Sequence, residues 1–223
     1  MKEKYLGLKI IGADETGVGD YMTPLVAAAV YVPLQNVDKL VELGVTDSKK
    51  MTDKNILKVF NEIKGLIKSS VRHLTQKGYN TLNKSFNAHE LKTLIHLNAI
   101  SSVEKRIDNG VDLIILDQYV NKNSFEKYKE KLSNSSIKPE FPKAIIKLVE
   151  KGEMEHISVA AASIVARAYF LNMMQEQEKK WGMKFLLGTN DKVVQVAKDF
   201  VDKHGRDNLK EVAKLSFKTT EKV

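Results

Sequence analysis

The 223-residue sequence predicts an α/β domain, a mixed β-sheet flanked by helices, with a helical C-terminal part. Three observations predict it. Two short apolar runs, residues 8–13 and 26–32, flank a glycine-containing turn, as neighbouring strands do. A third short run, residues 111–116, is almost wholly apolar, which is how a strand buried on both faces reads. Long stretches of helical spacing fill much of the remaining chain, and early strands followed by strand–helix alternation are the pattern of a mixed sheet.

Taken in order, the first run ends in the acids Asp14 and Glu15, and the second is rich in alanine and valine. Residues 53–67 carry apolar side chains at 56, 57, 59, 60, 63, 66 and 67, a helical spacing. Residues 70–74 read as a further strand. Residues 87–107 read as a long amphipathic helix, with Leu91, Leu94, Ile95, Asn98 and Val103 along one side. The buried run 111–116 is bounded by Asn109-Gly110 before it and Asp117 after it, and residues 144–149 are another strand candidate. Residues 158–180 form a long helix whose alanine-rich start allows close packing. Residues 192–203 and 207–214 finish the chain as helices, with Gly205 at the break. Prolines 139 and 142 close the one plausible long loop, residues 133–142. With no internal repeat, low-complexity tract or flexible linker, residues 1–223 read as one domain.

Composition narrows the chemistry. The chain has no cysteine, which excludes a disulfide scaffold, a zinc finger and a thiol nucleophile. It is compatible with the cytoplasm, the expected location. No uninterrupted apolar run approaches the roughly 18 residues of a membrane span, and the N-terminus enters a strand pattern without a signal-peptide arrangement. A net charge of +8, from 36 basic and 28 acidic side chains, points to a polyanionic partner or simply to solubility. Of the basic residues, 32 are lysine and four are arginine. Lysine meets phosphate as a point charge, whereas arginine forks read base edges. A nucleic-acid partner would therefore be held by its backbone more than by its sequence.

The acids at strand ends carry the strongest chemical signal. Asp14-Glu15 closes the first strand, Asp117 closes the buried strand, and Glu153 follows the strand near residues 144–149, with Glu155 two residues beyond. Each alone reads as a solvated cap or turn residue. Together they repel and raise one another's pKa, unless a hard divalent cation such as Mg²⁺, which takes oxygen ligands, offsets the charge. Two such ions about 3.5–4 Å apart suit phosphodiester hydrolysis. Residues 1–48 hold four basic and seven acidic side chains, whereas residues 179–223 hold eleven and six. An acidic patch in a basic chain suits a metal site approached by a polyanion.

Gly17-Val18-Gly19 lets backbone approach a ligand closely, and main-chain groups there can read a ribose 2′-OH; a simple turn accounts for it equally. Asp47-Ser48-Lys49-Lys50 can hold phosphate, or can be the N-cap region of the helix at residue 53. Ser163 lies in a small-residue helical stretch, where packing alone would explain it.

These segments together resemble the type 2 ribonucleases H, and more closely the ribonuclease HIII branch. The motifs are ADETGVGDYMTP at 13–24, LGVTDSKKM at 43–51, Leu116-Asp117, KGEMEHISVAAASI at 151–164, and a tail from Leu187-Gly188 to residues 213–218, in the order of that family and over nearly the whole chain. The resemblance implies a ribonuclease H-like fold and metal-dependent hydrolysis of the RNA strand of RNA/DNA hybrids, leaving 5′-phosphate and 3′-hydroxyl ends. It implies Asp14, Glu15, Asp117 and Glu153 as catalytic metal ligands for Mg²⁺ or Mn²⁺, two ions with substrate bound, and Glu155 as the alternative fourth acid. It implies Gly17, Val18 and Gly19 at the ribose 2′-OH, and Ser48, Lys49 and Ser163 at substrate phosphates. The expected state is a monomer.

Val18 stands where the branch usually has threonine, Tyr21-Met22-Thr23 replaces an aromatic–glycine sequence, and Ser216 stands where histidine is common. Relatives in this branch typically carry an N-terminal substrate-binding domain resembling TATA-binding protein. With thirteen residues ahead of Asp14, the expectation is a catalytic domain without it. Two rival readings are an HII-type enzyme that incises at single embedded ribonucleotides and a non-catalytic hybrid-binding module. A further nuclease or integrase on the same general fold is a third.

Overall fold

The structure is a computed structural model and describes Tyr5 and residues 7–223, apart from the side chains of residues 47–49. Strand β1 (Ile10–Thr16) alternates between two buried surfaces and forms the middle of a five-stranded sheet of order β3-β2-β1-β4-β5. The neighbours β2 (Leu25–Tyr31) and β3 (Lys68–Leu74) run antiparallel in succession. On the other side β4 (Leu113–Asp117) is parallel to β1, with Ile10 opposite Leu113 and Ala13 opposite Leu116, and β5 (Ile146–Val149) is parallel to β4. The mixed sheet is as the sequence predicts.

Helices cover both faces: α1 (Val37–Glu42), α2 (Asp53–Ile63), α3 (Gln76–Leu82), α4 (Ala88–Glu104), α5 (Lys122–Ser133), α6 (Gly152–Glu155), α7 (Ile157–Trp181), α8 (Asp191–His204) and α9 (Leu209–Val212). Helix α5 escapes the sequence pattern because it buries only Phe125 and Leu132, too thin a stripe to show a period. Helix α3 spans seven residues, too few for periodicity to register. The helix expected at 207–214 is split: Arg206–Asn208 is a 3-10 turn and α9 ends at Val212, after which the chain extends along the molecule.

Because successive strand residues face opposite sides, β1 serves two cores. Ile11 and Ala13 join Ile114, Leu116 and α4 residues Leu97, Ile100 and Val103. Ile10 joins Ile115 and α7 residue Val159 on the other face. Helix α4 is not the one-sided amphipathic helix expected. It lies across the sheet with α5 outside it, and Glu90, Lys92, Thr93, His96 and Ser101 are buried along with its apolar residues. Its start is fixed by a capping box between Asn87 and Glu90.

Helix α7 is long and apolar enough to cross a membrane by length and composition, which no uninterrupted run in the sequence reveals; it is the core helix, with 67% of that window buried inside the fold. Its first turn presses directly on β1. A Cβ at Gly12 would lie 2.2 Å from the Val159 amide nitrogen, so only glycine admits the helix at this depth. Replacing Gly12 by alanine must push backbone against backbone. The expected cost is about 3 kcal/mol or more, a drop in Tm of roughly 6–12 °C, read by thermal unfolding.

Candidate active site

The two-sided alternation of β1 decides where the acids go. Asp14 shares its face with Ile10 and Gly12, toward α7, while Glu15 shares its face with Ile11 and Ala13, toward α4. On β4 the same rule puts Asp117 on the face of Ile115, again toward α7. Asp14 and Asp117 each stand one residue past the Ala13–Leu116 pair. They therefore leave adjacent parallel strands side by side, at a strand spacing of about 4.8 Å.

Burial foremost, and then the charges of Glu15 and Asp117, push the Asp14 carboxyl well above the usual carboxylate range. The Glu15 amide, 2.8 Å away, and the Ser163 side chain pull the other way without prevailing. Ser163 thus touches the carboxylate itself. Asp117 accepts a 2.7 Å hydrogen bond from the Gly152 amide, in the turn where Lys151 adopts a left-handed conformation. Glu153 follows directly and is buried. It lines a cavity of about 420 Å³ with Glu155, Asp38 and Thr46, the last just ahead of the expected phosphate motif. The expected contacts of Ser48 and Lys49 lie outside the described side chains.

Glu15 has partners that the sequence reading missed. Lys92 Nζ lies 2.8 Å from Oε1 and His96 Nε2 lies 2.8 Å from Oε2, both groups buried in α4. Burial would raise the Glu15 carboxyl, but the hydrogen bond and charge of His96, with the charge and hydrogen bond of Lys92, outweigh it and hold the group at about 2. Tyr119 completes the surround. Lys92 Nζ sits 3.9 Å from its ring centroid, and its hydroxyl lies 2.6 Å from Thr93 Oγ1. The i, i+4 spacing of Lys92 and His96, which places two ionisable groups on one helix face, was the available signal.

Among the described residues no three or more His, Asp or Glu side chains stand as a ready-made metal cluster. The charges of Glu15 and Asp117 both bear on Asp14, while strand alternation turns the Glu15 side chain toward α4. Asp14 and Asp117 nonetheless fit a hard divalent cation, being buried or half-buried oxygen donors whose mutual repulsion a cation offsets.

In the Gly17-Val18-Gly19 loop the three residues differ. Gly17 has φ +82° and a Cβ there would lie 2.1 Å from the Pro24 carbonyl oxygen; Gly19 faces open space. The Val18 side chain packs into the cluster of Leu25, Tyr79 and Leu91. The Gly17 carbonyl accepts from Thr23 Oγ1 and from the buried Lys214 ammonium, which also donates to the Asp20 carbonyl at 2.8 Å. Burial pushes that ammonium down to about 8.

The family model described as Ribonuclease HII matches residues 11–220. The chain belongs to the ribonuclease HII family. Among the members similar to it, the ribonuclease HIII of Enterococcus faecalis is 35% identical over 215 residues, spanning 96% of this chain and 68% of that protein. The ribonuclease HIII of Bacillus mycoides is 34% identical over 218 residues, spanning 97% and 68%. The structure of Bst-RNase HIII in complex with Mn²⁺ superposes with a TM-score of 0.89 at 31% identity, over 96% of this chain and 68% of that one. Aquifex aeolicus RNase H3 superposes at 0.71 with 27% identity, over 93% and 71%. As a member of the ribonuclease HII family, the protein is a ribonuclease that depends on a divalent metal.

Two outcomes are expected of this family member's site. Asp14→Asn removes a repelled, buried charge, so without metal it should raise stability at pH 7 by about 1 kcal/mol, or 2–4 °C in Tm. Because the folded-state pKa of Asp14 is raised, the penalty relieved grows as pH rises above the unfolded value of about 3.9 and vanishes below it. Unfolding scans in chelator at pH 7 and pH 3.5 check both. Lys92→Met leaves Glu15 with His96 as its remaining side-chain partner among the described residues and should cost about 3 kcal/mol, while adding Glu15→Gln should recover most of it, measured by denaturant titration.

Proposed function

We propose that the protein hydrolyses the RNA strand of RNA/DNA hybrids, leaving 5′-phosphate and 3′-hydroxyl ends. The observation that carries the reading is the pairing of Asp14 and Asp117 on one face of adjacent parallel strands, followed in sequence by a glycine loop in which Gly19 faces open space. Asp14 and Asp117 are the primary holders of Mg²⁺ or Mn²⁺, with two ions in the substrate complex. When bound, such ions activate the attacking water and neutralise charge at the phosphate. Glu153 assists from the adjoining cavity and Glu155 is its alternative. Glu15 keeps acceptor capacity, since a carboxylate has about four lone-pair sites and Lys92 with His96 use two.

The protein's own groups do the positioning. Ser163 and the Glu15 amide orient Asp14, the Gly152 amide orients Asp117, and Lys214 with Thr23 fixes the glycine loop against which the ribose rests. Ser48 and Lys49 are assigned to the substrate phosphate on sequence grounds alone. The reading takes the protein to act as a monomer in the cytoplasm.

Cleavage of two duplexes tests the proposal, one with a run of four ribonucleotides and one with a single embedded ribonucleotide. The run should be cut well in Mg²⁺ or Mn²⁺; efficient cutting at the single site would assign the HII-type activity instead. Asp117→Asn should lower cleavage by more than the roughly 100-fold typical of losing an outer-shell partner, with hybrid binding retained.

A further inference from the structure

We propose that the groove between α3 and the C-terminal tail is a subsite for the sugar–phosphate backbone of the bound hybrid, gripped by Lys84 and Lys210. The proposal rests on the hybrid-cleaving reading and adds a second place where the substrate is held.

The groove is a cavity of about 450 Å³ whose lining includes Lys77, Asn80, Lys84, Lys210 and Ser216, and no carboxylate. Lys77 is balanced by Glu211 at 2.9 Å. Among the described residues Lys84 and Lys210 have no carboxylate within ion-pair reach, and both are exposed. Two uncompensated ammonium groups lining one cavity concentrate positive potential there, and the ligand they suit is an anion. Lysine without arginine suits phosphate rather than base edges.

The groove is also built as one piece with the glycine loop, which makes the anion part of a strand. Asn80 donates to the Lys210 and Ala213 carbonyls at 3.0 and 2.8 Å and accepts from the Leu215 amide at 2.8 Å. Between these points Lys214 reaches inward to the Gly17 and Asp20 carbonyls. One short tail segment thus locks the loop on its inner side and floors the groove on its outer side. From Lys214 to Ser216 the chain covers at most about 7 Å, which matches the rise of about two nucleotides along one strand. A hybrid resting on the loop extends over the groove without a gap.

The test compares wild type with the double variant Lys84→Gln/Lys210→Gln, measuring cleavage kinetics and hybrid binding by fluorescence anisotropy over a salt series. The expected result is a KM raised about tenfold with kcat little changed, and a log–log salt slope smaller by about 1.8, at 0.9 per phosphate contact. Lys84→Arg/Lys210→Arg should restore both values. Lys105→Gln, about 20 Å from Lys92 along α4, should match wild type. If wild type cleaves the hybrid and the Gln variant keeps its KM and slope, the subsite is refuted and the function stands. A fall in kcat alone also refutes it. If wild type neither binds nor cleaves the hybrid, both proposals fall.

Discussion

Asp14 and Asp117 leave adjacent parallel strands on one face, about 4.8 Å apart, and a sheet does not hold two carboxylates there without a structure arranged around them. Much of the neighbourhood answers that demand. The Gly152 and Glu15 amides and Ser163 each give a hydrogen bond to one carboxylate or the other. Ser163 can do so only because α7 rests on β1 at backbone distance, and that contact exists only because residue 12 has no side chain. What these donors leave uncompensated is negative charge, which a divalent cation would offset.

The opposite face of the sheet solves a different problem. Glu15 points into a packed interior, where a free carboxylate would be untenable, and α4 supplies Lys92 and His96 to meet it. The two neighbours in sequence therefore live in opposite electrostatic settings: Asp14 is pushed toward neutrality and Glu15 is held firmly ionised. The two-residue period of a strand sends the two side chains to different faces, and the groups they meet there set the difference. It also explains how an acidic site persists in a chain with a net charge of +8, since the buried Lys92 serves one acid and the buried Lys214 serves backbone carbonyls, while lysines such as Lys84 and Lys210 are exposed.

Much of this was legible in the sequence. Strands β1, β2 and β4 are short apolar runs, whereas β3 is mostly polar; α2 and α8 show a helical spacing, and α4 and α7 are legible by length and composition instead. The hidden helices α3 and α5 are short or mostly solvated, so their patterns carry little weight. Asp14, Asp117 and Glu153 could be picked out because acids at strand ends stand out against apolar neighbours. Lys92 and His96 offered only their i, i+4 spacing, a weak signal because polar residues in a helix normally mean an outward face and their burial depends on a partner 77 and 81 residues away. Gly17 and Gly19 looked equivalent as letters; only the backbone angle and the nearby Pro24 carbonyl set them apart.

The tail adds a matter of timing. Asp14, Asp117 and Glu153 are all in place well before the chain reaches Lys214, the residue that secures the Gly17 carbonyl, and Thr220, whose hydroxyl meets Tyr21 beyond the loop. A growing chain emerges from its N-terminal end and folds as it lengthens. During synthesis the carboxylates are thus made with their loop still untied, and Lys214 fastens a turn made 197 residues earlier. Until Lys214 has emerged, a nascent chain carries its acids without the finished loop beside them.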